Sequence, residues 1–292
     1  MSGTQKNMKN RRTFIKSIAA ISAASMIFPL EMCSFPASKN ELIGLQLYSV
    51  RDLMKNDLHG TLKKVAEIGY NSVEAAGYSN GKFYGLKPKE FKKMLNDLGM
   101  ILPSSHTYFE LLDAQKVIDD SCEAGINYLV FPWLPAEKRK SIDGYKQFAD
   151  DFNKIGELCQ KSNIQFAYHN HNFEFIITDG EIPYDVLLNE TDKELLKMEL
   201  DIYWIIKGGY DPVKYFKNYP GRFELWHVKD MEDSEEGFFT EVGNGIINFK
   251  EIFKYKIISG MKYFFVEQDV CRKPPLESVL ISYQNLSEML SE

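Results

Sequence analysis

Eight residues, Gln46, Glu74, His106, Trp133, His169, Asp201, His227 and Glu267, stand at or just past the ends of short apolar runs. Imidazoles and carboxylates can bind a metal, move protons or hydrogen-bond a sugar. Of the five histidines, His106, His169, His171 and His227 fall at these ends, and only His59 sits at a helix start. Each residue also has an ordinary reading. A histidine closing a strand is often simply hydrogen-bonded, Asp201 can cap the next turn, Glu267 can pair with a surface lysine, and Trp133 can be core. What ordinary packing does not explain is the whole set gathered on one face. A His, Asp and Glu donor set without cysteine suits Mn²⁺, Co²⁺, Mg²⁺ or Zn²⁺. Two carboxylates and one or two imidazoles leave positions open for vicinal oxygens. Tyr48, Trp133, Tyr168 and Trp204 offer stacking faces for a carbohydrate ring.

The elements that must position these residues can be read from hydrophobic periodicity. Strands are expected over 43–48, 72–76, 101–106, 128–131, 164–169, 197–202, 223–228 and 263–267. Helices are expected over 59–68, 87–98, 141–162, 211–218, 248–255 and 276–290. Pro88 lies in the first turn of the second helix, and Gly99 follows its end. The segments Ile68-Gly69-Tyr70-Asn71-Ser72-Val73-Glu74 and Ala124-Gly125-Ile126-Asn127-Tyr128-Leu129-Val130 repeat one pattern: a helix stopped by glycine, then a strand. Eight strand–helix units with no GxGxxG after the first strand favour a closed (β/α)₈ TIM barrel over a doubly wound sheet. The barrel is one domain over 41–292, and its C-terminal strand ends converge on a single mouth.

A net charge of −6 and the lack of a basic stripe past the N-terminus argue against a nucleic-acid partner. Cys33, Cys122, Cys159 and Cys271 form no CxxC pair, so no zinc knuckle or disulfide framework is indicated. Residues 1–40 read as an address. Arg11-Arg12-Thr13-Phe14-Ile15-Lys16 and the apolar run behind it resemble a bacterial twin-arginine export signal, which implies a periplasmic or envelope-anchored protein. Leu30-Glu31-Met32-Cys33 is similar to a lipoprotein box, although Glu31 and Met32 depart from the usual small residues. A lipid anchor at Cys33, the one membrane attachment expected, and simple cleavage nearby both stand.

Several motifs in order, Gly44-Leu45-Gln46-Leu47-Tyr48-Ser49-Val50-Arg51-Asp52, Val73-Glu74, Ser105-His106, Tyr168-His169-Asn170-His171-Asn172-Phe173-Glu174-Phe175, Leu200-Asp201-Ile202-Tyr203-Trp204, His227-Val228-Lys229-Asp230 and Val266-Glu267-Gln268-Asp269, carry a family resemblance. Over 42–292 the chain resembles the sugar phosphate isomerase/epimerase superfamily of xylose-isomerase-like barrels, and the His-Asn-His variant is similar to its exported members. The resemblance implies one divalent metal held by residues ending strands five to eight. Asp201, His227 and Glu267 match three of these positions; His169 stands where the family has glutamate. Either His169 is the fourth ligand, or Glu174 reaches in from the loop.

That departure calls the family's two-glutamate proton shuttle into question. His171 and Glu174 become acid/base candidates on one side of the substrate, with Glu267 or Asp269 on the other. His171 shares strand parity with His169, and Lys229 shares it with His227, where an ammonium could stabilise an oxyanion. Gln46, Tyr48, Glu74, His106, Trp133 and Trp204 are the expected substrate contacts. The first expectation is a sugar isomerase or epimerase working through an enediolate. The alternative is a lyase or dehydratase expelling a β-oxygen from a 3-keto-sugar or glycoside. A phosphodiester hydrolase fits poorly with so few histidines and an acidic chain, and a non-catalytic sugar-binding protein would not need the ligand set. Gly243-Asn244-Gly245 is the one candidate phosphate cradle and reads equally as a turn, so a non-phosphorylated sugar is expected.

Overall fold

The computed structural model describes residues 42–291. The twin-arginine segment and Cys33 lie outside them. Eight parallel strands close into a barrel: β1 (Gly44–Gln46), β2 (Ser72–Ala75), β3 (Ile101–His106), β4 (Tyr128–Phe131), β5 (Gln165–His169), β6 (Leu196–Asp201), β7 (Leu225–Val228) and β8 (Tyr263–Val266). Each strand pairs with the next in sequence, and β8 returns to β1 with Gly44 opposite Phe265. All eight expected strands are present.

Helices wrap the outside. The expected ones appear as α1 (Leu58–Ile68), α2 (Pro88–Asp97), α4 (Ile142–Lys161), α6 (Pro212–Asn218), α7 (Phe249–Phe253) and α9 (Pro275–Ser291); the helix expected over 248–255 gives way after Phe253 to the short α8 (Lys256–Ser259). Two more complete the alternation: α3 (Ala114–Ala124) and α5 (Pro183–Glu190). The buried face of α3 is Ala114, Val117, Ile118, Ser121 and Ala124, so three of its five residues are Ala or Ser and its apolar period is faint. Gly69 and Gly125, the glycines of the repeated pattern, both take positive φ, which ends a helix with no Cβ penalty and releases the chain into β2 and β4.

Strand parity separates two cores. Outward residues such as Leu45, Val73, Leu129, Phe166, Tyr168, Leu200, Trp226 and Val266 bury against the helices in the main cluster. Inside the barrel, Tyr128, Val130, Ala167, Leu225 and Phe265 form a small apolar plug. The next inward positions along the strands are Gln46, Glu74, His106, His169, Glu199, Asp201 and His227. The plug therefore shuts the barrel below, and the ionisable side chains occupy its C-terminal end.

Candidate metal centre

Three of the ligand candidates, His169, His227 and Asp201, are oriented by a partner on the far side. His169 Nδ1 lies 3.0 Å from the carbonyl oxygen of Pro132. A carbonyl only accepts, so Nδ1 carries the proton and Nε2, 3.3 Å from Asp201 Oδ2, presents a lone pair. His227 Nε2 lies 2.7 Å from Glu74 Oε2, which likewise leaves Nδ1 facing Glu267 Oε2 at 2.8 Å. Asp201 fills two roles. Its Oδ1 accepts from Trp204 N at 2.8 Å and caps the turn of Ile202–Lys207, while Oδ2 faces inward. Asn170 steadies it by accepting from Asp201 N at 3.0 Å.

One ligand atom from each of His169, Asp201, His227 and Glu267 lies within 4.8 Å of all the others, and all four residues are buried. His227 Nδ1 is buried without a hydrogen bond and faces Glu267 Oε2, an oxygen that also lies 2.8 Å from the Lys229 ammonium. Two lone-pair atoms facing one another in a dry interior require a cation between them or an added proton. Burial opposes charge on His227, but the carboxylates of Glu199 and Glu267 outweigh it and hold the imidazole well above its usual range. The field at this point is strongly cation-seeking. The donor set, its burial and the unpartnered His227 Nδ1 fit a divalent ion.

His106, His169, Glu199 and His227 form a second set of the same spread. Its members are more fully engaged with one another. His106 Nε2 is 2.5 Å from Glu199 Oε2 and 3.3 Å from Glu74 Oε2, and Gln46 Nε2 donates to Glu74 Oε2 at 2.6 Å. Ser104 donates to the other oxygen of Glu74. Burial and then the charge of Glu199 raise Glu74, while burial raises Glu199 against the pull of His227 and His169. His106 is lowered to about 4 by burial, against the pull of Glu74. The upper set is the better ion site, because His227 already commits Nε2 to Glu74.

Lys229 is fully buried, and its ammonium touches Asp201 at 2.9 Å, Glu267 at 2.8 Å and Asp269 at 2.9 Å. Burial disfavours its charge, but the three carboxylates hold it well above the usual lysine range. Lys229 thus braces two of the ligands and one cavity carboxylate and does not itself line the cavity.

Above the ligands opens a cavity of about 510 Å³, lined by His106, His169, His171, Glu267 and Asp269 among aromatic walls that include Tyr48, Tyr108, Trp133, Trp204 and Phe239. This is the size and character of a small-molecule site. The His171 ring stacks on Phe173 with centroids 5.2 Å apart, and its Nδ1 is buried without a partner, as is Trp204 Nε1. Burial, then His169 and Lys229, hold His171 well below its usual range, so it is a neutral base. Burial raises Asp269 to about 6 against the pull of Lys229.

Of the expected substrate contacts, Tyr48, His106, Trp133 and Trp204 line the cavity; Gln46 and Glu74 do not, being wholly buried beneath it. Of the acid/base candidates, His171, Glu267 and Asp269 reach the cavity and Glu174 does not. Strand parity sends Tyr168 outward to the helix layer, where its hydroxyl donates to Glu174 Oε1. It is therefore no stacking face. Glu174 turns with it, accepting from His171 N at 2.8 Å, and burial pushes it up to about 8. His169, and not Glu174, joins the ligand cluster.

Sequence reasoning missed Glu199, although it shares the inward parity of Asp201 two residues on. It also missed Tyr78, Tyr108, Arg51 and Phe239 on the cavity wall. Asn80-Gly81, a hairpin signal, marks the turn that presents Tyr78.

The possible phosphate cradle is filled from within. Asp230 accepts from the backbone N–H groups of Met231, Gly243, Gly245 and Ile247 at 2.8, 2.9, 3.0 and 3.1 Å. A Cβ on Gly245 would sit 2.3 Å from Asp230 Oδ1. The protein's own carboxylate occupies the anion-binding turn.

The family described as xylose isomerase-like TIM barrel matches residues 62–255. An inosose dehydratase 2 from Bacillus cereus is 27% identical over 177 residues, 53% of this chain and 59% of that protein. The chain thus spans under two thirds of the length of that curated relative. Among solved structures, a sugar phosphate isomerase/epimerase from Parabacteroides distasonis ATCC 8503 superimposes with a TM-score of 0.77 and 30% identity, covering 87% of this chain and 96% of that one. An IolI protein with a bound zinc atom shares the fold at a TM-score of 0.67 and 13% identity, covering 86% of this chain and 98% of that one.

Proposed function

The chain belongs to the xylose isomerase-like TIM-barrel family, and from that premise we propose a divalent-metal-dependent enzyme that removes a proton beside a carbonyl of a non-phosphorylated sugar or keto-sugar and expels a β-oxygen. The observation that carries this reading is the convergence of His169 Nε2, His227 Nδ1 and the carboxylates of Asp201 and Glu267 beneath an aromatic cavity. A divalent ion held by these residues supplies Lewis-acid polarisation of the carbonyl.

The chain's own groups do the rest. His171, neutral and with Nδ1 free of any partner, takes the α-proton. Asp269 enters the cavity from the end of a different strand and delivers a proton to the departing oxygen, which leaves as water. Lys229 keeps Asp269 and Glu267 in place. His106, backed by Glu199, hydrogen-bonds substrate hydroxyls, and Trp133 and Tyr48 cover the ring faces. The filled turn around Asp230 favours a substrate without phosphate.

The dehydratase relative favours elimination. The Parabacteroides neighbour supports a second reading, return of the proton to give an isomer or epimer. Metal-loaded protein incubated in D₂O with an inosose and with 3-keto-sugars separates them by mass spectrometry. Loss of water supports elimination. An isomeric product with deuterium at carbon supports proton return. Neither product, with no solvent exchange of the α-proton, overturns the proposal. The Arg11-Arg12 segment supports export of the enzyme from the cytoplasm as part of the same proposal.

A further inference from the structure

A second hollow of about 370 Å³ adjoins the metal cavity, and the two share Tyr78 and Tyr108 as a common wall. Its floor and sides come from the hairpin of Tyr78–Ser79 and Lys82–Phe83 and from the start of α3. Nothing in the reaction outlined above uses it. Apart from Tyr78 and Tyr108, its lining shares no residue with the metal cavity.

Its lining has a definite chemistry. Tyr78, Tyr108 and Phe109 supply ring faces, while Ser79, Asn80, Asp113 and Lys116 supply donors and acceptors. Flat apolar faces edged by short polar groups suit a hydroxylated ring better than a hydrocarbon. The wall is also pre-organised. Tyr78 donates to Asp120 Oδ2 at 2.5 Å, and Lys116 clamps the same oxygen at 2.8 Å. Tyr108 stacks on Trp133 with centroids 5.3 Å apart and an interplanar angle of 16°, and its hydroxyl donates to Glu110 at 2.8 Å. The hairpin tip, Asn80 at φ 51° and Gly81 at φ 76°, has the paired positive angles of a tight two-residue turn. Tyr84 fixes the base of the hairpin by accepting from Ala76 N at 2.9 Å. Little side-chain entropy remains to be lost when a ligand binds.

We propose that this hollow is a second sugar subsite, so that the protein takes disaccharides or sugar glycosides whose reacting ring lies over the metal ligands and whose second ring lies against Tyr78 and Tyr108. This rests on the sugar reading of the metal cavity. The test is calorimetry on the metal-loaded full chain with glucose as the single-ring probe and cellobiose, maltose and lactose as two-ring probes. At least one disaccharide should bind about tenfold or more tightly than glucose. Ser79→Trp, which fills the hollow from an exposed position, should erase that advantage and leave glucose affinity within about twofold; Tyr108→Ala, checked for folding by circular dichroism, should reduce it. Glucose binding with no disaccharide advantage, or an advantage that survives Ser79→Trp, overturns the subsite and leaves the sugar reading standing. No binding of any of these sugars to protein that holds its metal overturns both.

Discussion

Glu174 offers a perturbation whose size can be worked out from the structure. It is fully buried, and burial raises its carboxyl from the ordinary 4.5 to about 8. A carboxyl raised on folding favours the native state fully below its unfolded value, and that favour is lost as the pH climbs through the folded value. The gap corresponds to about 5 kcal/mol of native stability, at about 1.4 kcal/mol per pH unit. Roughly 2 kcal/mol of it is already gone at pH 6, so about 3 kcal/mol remains to be lost between pH 6 and pH 9. Glu174→Gln copies the uncharged carboxyl: its one amide oxygen can accept from His171 N while its NH2 group donates to the Tyr168 hydroxyl. The variant should match the wild type at acidic pH and exceed it by several kcal/mol at pH 9. Urea unfolding of both proteins in EDTA at pH 6 and pH 9, followed by circular dichroism, measures this; other titrating groups are common to the two and cancel. Parallel stability–pH curves would refute the reasoning. The same variant should keep its metal and turn over within a few-fold of wild type, because Glu174 supports His171 from outside the cavity; a loss beyond about 100-fold with metal retained would restore Glu174 as the acid/base group.

His171→Ala should keep the metal and lose about 100-fold or more in turnover, read by steady-state rates together with metal content; near-normal rates would move the base to Asp269 or Glu267. Glu74→Gln removes the carboxylate that fixes the His227 tautomer and should weaken metal binding by about 10–100-fold, measured by competition with a chromophoric chelator, with the fold intact by circular dichroism. Replacing Arg11 and Arg12 with lysine should retain the protein in the cytoplasm, and unchanged envelope or periplasmic fractionation would exclude twin-arginine export.

Much of this was legible in the chain because a barrel's geometry is periodic. Period-two parity and apolar runs place Asp201, His227 and Glu267 at adjacent strand ends, and the closed sheet brings them together. The same parity, carried further, turns Tyr168 outward and takes Glu174 with it, against the expectation that Glu174 sits at the site. Depth was not legible. Gln46, Glu74 and Lys229 have the residue types of substrate contacts, but neighbouring side chains fill the space above them, and only packing decides that. Glu199 lay hidden inside a strand, where a buried carboxylate reads as an error of pattern until His106 and His227 are seen opposite it. The short helix Ile202–Lys207 is set by the Asp201 cap at the strand end, and Arg51–Asn56, which has no side-chain cap, follows the 3-10 turn Leu47–Val50; neither has an apolar period of its own.

The central claim is that His169, Asp201, His227 and Glu267 hold one divalent ion. Its most direct test is the metal content of purified wild type, Asp201→Asn and His227→Ala after reconstitution with Mn²⁺, Co²⁺, Mg²⁺ or Zn²⁺ and gel filtration, with circular dichroism to confirm that the barrel persists. The account predicts one equivalent of at least one of these ions in the wild type and little or none in the two folded variants. Stoichiometric metal retained by both variants, or a wild type that holds no divalent ion, would contradict it.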